Sequence, residues 1–174
     1  DRVLIGGSNQ EAIKALTDIY SFWLDDSKII TTNLWSAELS KLIANAFLAQ
    51  RVSSINSVTA ICEATGSSIK DVSLAIGKDK RIGEYFLNPG PGFGGSCFKK
   101  DILNLVYICN HYGLYEVSEY WQQIIKINDW QKRRITKLIT NKLYGTLSGK
   151  SIGIFGFSFK ANTNDTRESP AISI

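Results

Sequence analysis

Apolar positions along the chain change their period several times, and each change marks an element. Residues 3–6, Val-Leu-Ile-Gly, form a short apolar run closed by Gly6-Gly7, the pattern of a buried strand. Ala12, Leu16, Ile19, Tyr20 and Trp23 then recur at helical spacing, and residues 28–32 are rich in β-branched side chains. A strand–helix–strand unit with a parallel pair is therefore predicted. From Ser36, a capping residue followed by Glu38 in the expected first turn, Leu39, Leu42, Ile43, Ala46, Phe47 and Ile55 predict a long helix to Ala64, ended by Gly66. Ser68 begins a shorter helix carrying Ile69, Val72 and Ile76 that stops at Gly77.

Residues 88–96 are too rich in Gly and Pro for a regular element and read as a loop. Ile102, Leu105, Val106, Cys109 and Tyr112 predict a helix as far as Gly113. Val117 to Leu143 predict another long one, with a kink near Asp129, closing before Gly149. Residues 151–156 return to strand texture, and Ser169-Pro170 supplies a cap and first-turn pair for a last helix. The expected fold is mostly α. Residues 1–33 read as the βαβ tail of an α/β domain, 34–147 as a helical central domain, and 148–174 as the start of a second α/β domain.

With 174 residues, 44% hydrophobic and 21% charged, the chain has enough apolar surface for a real core, which excludes disorder. The formal charge of +4 and the cluster Lys132-Arg133-Arg134 beside Trp130 bring nucleic acid to mind, but basic residues on an amphipathic helix are ordinarily its solvated face. No nucleic-acid partner is expected. Cys62, Cys97 and Cys109 match neither a zinc spacing nor a disulfide framework, so a reducing, cytoplasmic setting and no metal are expected. No apolar run approaches the roughly 20 residues that cross a bilayer. Asp at position 1 and the lack of any Met are those of an excerpt from a longer chain.

The stretch from Gly92 to Asp101 concentrates the chemistry. Glycines let the backbone approach a ligand closely, and the following helix presents free amide groups and the positive end of its dipole. Cys97 falls at that end with Lys99 and Lys100 close by, a setting that favours thiolate over thiol. Asp101 lies four residues on, hence on the same helical face, where a carboxylate can orient water. The alternative is a small Cys filling space before a helix. Lys41 and Asn45, also four apart, can together hold an oxyanion, or can be a snorkelling lysine beside a core amide. His111, the one histidine, reads as a surface residue, so a cysteine hydrolase lacks its base.

Three blocks carry a family resemblance. They are Trp35-Ser-Ala-Glu-Leu-Ser-Lys-Leu with Ala44-Asn-Ala-Phe-Leu-Ala-Gln-Arg51, Phe93-Gly-Gly-Ser-Cys-Phe-Lys-Lys-Asp101, and Gly156-Phe-Ser-Phe-Lys160 with Asp165-Thr-Arg-Glu-Ser169. In this order they closely resemble the UDP-glucose 6-dehydrogenases, over essentially the whole chain. Sister enzymes acting on UDP-N-acetylmannosamine carry His before the cysteine, where this chain has Ser96. GDP-mannose dehydrogenases continue with Leu-Pro-Lys-Asp, where it has Phe98-Lys99-Lys100-Asp101.

The resemblance implies a central domain like the C-terminal domain of 6-phosphogluconate dehydrogenase, between pieces of two Rossmann-like domains. It implies NAD as cofactor, UDP-glucose as substrate, and a homodimer or higher oligomer. Cys97 would be the nucleophile, Lys41 and Asn45 would stabilise oxyanions, and Asp101 would handle water. Phe86, Leu87, Asn88, Phe93 and Gly94 would belong to the loop around the sugar, Arg81 would reach the neighbouring subunit's site, and Lys160 would touch substrate. Ser96 and Arg167 would face NAD. The family's Gly-x-Gly-x-x-Gly after a first strand does not occur here, so the chain alone is expected to be inactive. The alternative function is a non-catalytic helical dimerisation module.

Overall fold

The structure, a computed structural model, describes residues 2–174. By mutual packing it forms two units, one extending to Ala44 and the other spanning Asn45–Ile174. In the first, β1 (Val3–Gly6) pairs in parallel with β2 (Ile29–Thr32), Val3 opposite Ile29 and Gly6 opposite Thr32. Helix α1 (Gln10–Tyr20) connects them, its first turn capped by the Asn9 side chain, which accepts from the Ala12 N–H at 2.9 Å. The predicted βαβ unit is present. Its helix, however, buries no residue, and Leu16, Ile19, Phe22 and Trp23 are exposed. Two strands cannot cover an amphipathic helix, so the apolar face drawn from the sequence has no cover among the described residues.

Helix α2 (Leu34–Thr65) begins two residues before its expected cap. Asn33 is the cap: its side chain accepts from the Ser36 N–H at 2.8 Å and its carbonyl from Ala37. Ser36 is thus a first-turn residue whose carbonyl is bonded by Ser40, and Glu38 stands beyond the first turn. At the other end the Ser67 N–H reaches the Cys62 carbonyl at 2.9 Å, with Gly66 at φ +74°, a left-handed stop that glycine takes without strain. Helix α3 (Ile69–Gly77) is capped by Ser68 as expected.

In the second unit, α4 (Ser96–His111) and α5 (Tyr115–Lys142) pack together, and α2 contributes Ala46, Ala49, Ile55 and Cys62 to the same core. Ile102, Leu105, Val106 and Cys109 face it from α4, and Trp121, Ile124 and Ile125 from α5. The small Ala46 and Ala49 admit neighbouring side chains closely, and the Ser53 hydroxyl bonds the Ile124 carbonyl at 3.2 Å, so α2 meets α5 without an orphaned polar atom. Burial raises the Cys109 thiol above its usual range.

Three expectations are corrected. α5 runs as one helix through Asp129. The basic cluster is no solvated face: Lys132 is buried, and Arg134 pairs with Glu63 and lies 5.7 Å over the Trp130 ring. Residues 151–156 form no strand, since no neighbouring strand among the described residues offers them a ladder, and Phe155 is fully exposed. A short α6 (Pro170–Ser173), capped by Ser169, ends the chain. Among the described residues no helix is long and apolar enough to cross a membrane.

Candidate active site

The loop of residues 88–95 carries no secondary structure, so its backbone must find partners elsewhere, and three amides on apolar helix faces supply them. Asn56 of α2 accepts from the Gly90 N–H at 2.8 Å, and Gln131 of α5 donates to the Gly90 carbonyl at 2.8 Å. Asn128, one turn before Gln131, accepts from the Phe93 N–H at 2.7 Å and donates to the Phe93 carbonyl at 3.0 Å. All three side chains are buried. This clamp was missed in the sequence, although its signal is present there: amides where the helical period calls for hydrocarbon. A Cβ on Gly92, at φ +122°, would stand 2.8 Å from the Asn128 oxygen, so the close approach requires glycine.

The loop delivers Cys97 as the second residue of α4. Gly95 precedes that helix at φ +81° and ψ 162°, a region essentially reserved to glycine. Its N–H donates to the Arg167 carbonyl at 2.8 Å, and a Cβ on it would stand 2.8 Å from the Phe159 ring. Residues 157–169 thus lie as a strap across the loop. The Lys99–Glu168 ion pair, 3.1 Å long, adds to this attachment, but exposed pairs contribute at most about 1 kcal/mol. Glycine–aromatic packing and the backbone bond are what fix the strap.

Between loop and strap opens a cleft of about 460 Å³, lined by Phe86, Phe93, Gly94, Ser96, Cys97, Phe98, Lys160 and Arg167. Cys97 is exposed to it. One helical turn deeper, Asp101 is only 2% exposed and accepts from the Asn45 amide at 2.6 Å. An amide nitrogen carries two hydrogens, so Asn45 keeps a second donor for another acceptor while Asp101 fixes its orientation. Phe93 and Phe98 meet edge to face at 5.6 Å and make the cleft's apolar wall. Asp165, also lining the cleft, binds the Arg167 guanidinium at 2.7, 2.9 and 3.1 Å. The hydrogen bond from Arg167 draws the Asp165 carboxyl down to about 2, and Asp165 in turn raises the basicity of Arg167.

Not every predicted residue reaches the cleft. The Leu87 side chain is buried near Gly77, and its carbonyl accepts from Ser73 at 2.7 Å. Asn88 is exposed at the start of the loop. Arg81 stands on an exposed turn with its guanidinium on Asp79, which lowers the pKa of that carboxyl. The turn itself is held by Arg51, which donates to the carbonyls of Ile82, Gly83 and Tyr85. Lys41 is an exposed residue of α2, one turn before Asn45. Among the described residues no cluster of His, Cys, Asp and Glu could hold a metal.

An exposed thiol where a glycine-rich loop becomes a helix, with a buried Asn–Asp pair one turn on, is a pattern that can be compared. A model of the central domain of the UDP-glucose/GDP-mannose dehydrogenase family matches residues 35–130, more than half of the chain. The chain belongs to this family. The family match takes in the glycine loop, Cys97 and the Asn45–Asp101 pair, while the strap lies beyond it. UDP-glucose 6-dehydrogenase 3 of Arabidopsis thaliana is 60% identical over 178 residues, covering all of this chain and 37% of that protein. UDP-glucose 6-dehydrogenase 1 of Glycine max is 58% identical, with the same coverage. A UDP-glucose dehydrogenase from the hyperthermophilic archaeon Pyrobaculum islandicum superposes with a TM-score of 0.92 at 34% identity, over 99% of this chain and 39% of that one. The chain therefore spans about 37% of the length of these curated relatives. Its mostly helical architecture is that of the family's central domain.

Proposed function

We propose that the whole protein is an NAD-dependent UDP-glucose 6-dehydrogenase, oxidising UDP-glucose to UDP-glucuronate in two steps, and that this chain carries its nucleophile. The observation that carries the reading is Cys97, exposed in the cleft at the N-terminus of α4 with the Asn45–Asp101 pair one turn away. The names of the relatives support the substrate.

The fit to NAD is partial. Gly90 to Gly95 has the spacing of a phosphate-binding turn, but it follows a loop, and Phe159 and the Glu168 carbonyl fill the space over Gly94 and Gly95. Ser96 and Arg167, at the cleft, would hold the cofactor from this side by a hydroxyl and a guanidinium. When bound, NAD accepts a hydride from carbon 6 of the glucose unit at each oxidation.

Removal of one hydride and one proton turns the alcohol into an aldehyde. The Cys97 thiolate then adds to the aldehyde carbon, a C–S bond forms, and the carbonyl pair becomes an oxyanion held by the Lys41 charge and the free hydrogen of the Asn45 amide. Loss of the second hydride collapses this thiohemiacetal to a thioester. Water oriented through Asp101 attacks the thioester, the C–S bond breaks, sulfur leaves as thiolate, and the carboxylate forms with release of protons. Phe86 and Phe93 flank the sugar, Gly94 lets the loop approach it, Asn88 and Leu87 set the start of the loop, and Lys160 contacts the substrate.

Apolar residues left exposed on α2 and α4, among them Phe47, Ile61, Leu103 and Tyr107, fit a helical two-fold interface, across which Arg81 would reach the partner's substrate. A cytoplasmic setting keeps Cys97 reduced. The chain by itself, with no phosphate cradle, turns nothing over. Replacing Cys97 with Ser in the whole protein should abolish NADH formation beyond a first-stage trickle; undiminished turnover would reject the role.

A further inference from the structure

Cys97 sits among charges that differ in how firmly they are held. From its own helix come Lys99, engaged by Glu168 at 3.1 Å, the exposed Lys100, and the buried Asp101 held by Asn45. From the strap come Lys160, whose ammonium lies 5.5 Å over the Phe159 ring, and Arg167. Arg167 is the most constrained of these. Its carbonyl is bonded by Gly95, two residues before the sulfur, and its N–H and guanidinium are both bonded by the Asp165 carboxylate, at 3.0 Å and at 2.7 to 3.1 Å. A five-donor guanidinium fixed at both backbone and side chain loses little entropy in holding its charge at one place.

We propose that Asp165 and Arg167 together are a positioning device for the nucleophile: Asp165 fixes the guanidinium at the cleft, and the guanidinium supplies the positive charge against which the Cys97 thiolate forms. This rests on the reading of Cys97 as nucleophile and adds a second task for Arg167 beside the cofactor. The electrostatics agree in direction, since the basicity of Arg167 is raised first by its bond to Asp165 and to a smaller extent by the sulfur of Cys97. A consequence is that the reactivity of a thiol in the helical domain depends on the strap more than sixty residues later in the chain.

The test is the pH profile of iodoacetamide alkylation at Cys97 in the whole protein, read by mass spectrometry of the peptide that contains it. Cys62 and Cys109 are buried and serve as controls for folding: a variant counts only if they stay unreactive. Arg167→Gln should move the midpoint to higher pH and slow alkylation at pH 7 by about three- to tenfold, while Arg167→Lys, which keeps the charge, should restore most of the rate. Asp165→Asn separates the two roles of the carboxylate. If Asp165 positions the guanidinium, the variant slows Cys97; if it merely neutralises Arg167, removing a negative charge speeds Cys97, and the proposal fails. An unchanged profile in Arg167→Gln also overturns it. Should the variants unfold, the wild-type rate at pH 7 still decides: it should fall as salt screens the guanidinium, and a salt-independent rate is the contrary result. Turnover by Cys97→Ser would sink the nucleophile reading instead, a separate outcome from any of these.

Discussion

At the scale of single residues, the site works by placing donors and charges around a sulfur that itself stays exposed. Asn45 and Asp101 illustrate the division of labour, since the carboxylate is buried and bonded while the amide it orients keeps one hydrogen for the reaction. The Asp165–Arg167 pair is the other example, and its strength can be read directly. The folded carboxyl lies at about 2, below its ordinary 3.8, because Arg167 bonds the ionised form. Its folded value is depressed, so whatever the pair contributes to holding the strap is present above about pH 4 and lost as pH falls toward 2. An NMR titration of the Asp165 side-chain carboxyl should give a midpoint near 2, and a midpoint at the ordinary value would mean that Arg167 does not hold it.

At the scale of elements, a loop without regular structure is made definite by amides from two helices. Asn128 alone satisfies both the N–H and the carbonyl of Phe93. Asn128→Ala should therefore cost about 2–4 kcal/mol in urea unfolding, the cost of two backbone groups losing buried partners, with a parallel loss of activity as the loop loosens. A cost near zero would show that water replaces the amide without penalty. Much of this level was legible in advance: glycines marked the ends of α2, α3 and α4, Ser68 and Ser169 were read as caps, and the helix-start position of Cys97 followed from the glycine run before it. The clamp was not, because Asn56, Asn128 and Gln131 look like ordinary polar interruptions until the loop they bind is in place. The true cap of α2 was missed for a related reason. Asn33 and Ser36 are both good capping residues, and only the backbone geometry chooses between them.

At the scale of the whole molecule, two regions show what secondary structure needs from its surroundings. The apolar face of α1 and the alternating run at residues 151–156 were both read correctly as patterns, yet one helix stays uncovered and one strand does not form. Periodicity reports the face a segment would bury, while partner strands decide whether it does. Amides at 151–156 should exchange rapidly in the isolated chain and become protected in the whole protein, where a sheet can accept them; equally fast exchange in both would argue against a strand there. The same dependence runs through function, since the chain holds the thiol and the loop, and the strap ties both to the region that follows. The most direct measurement is mass spectrometry of the whole protein during turnover of UDP-glucose with NAD, using Asp101→Asn to slow hydrolysis. A hydroxylamine-labile adduct of the uronyl group on the Cys97 peptide is the predicted result. Full product formation with that peptide unmodified throughout would contradict the account.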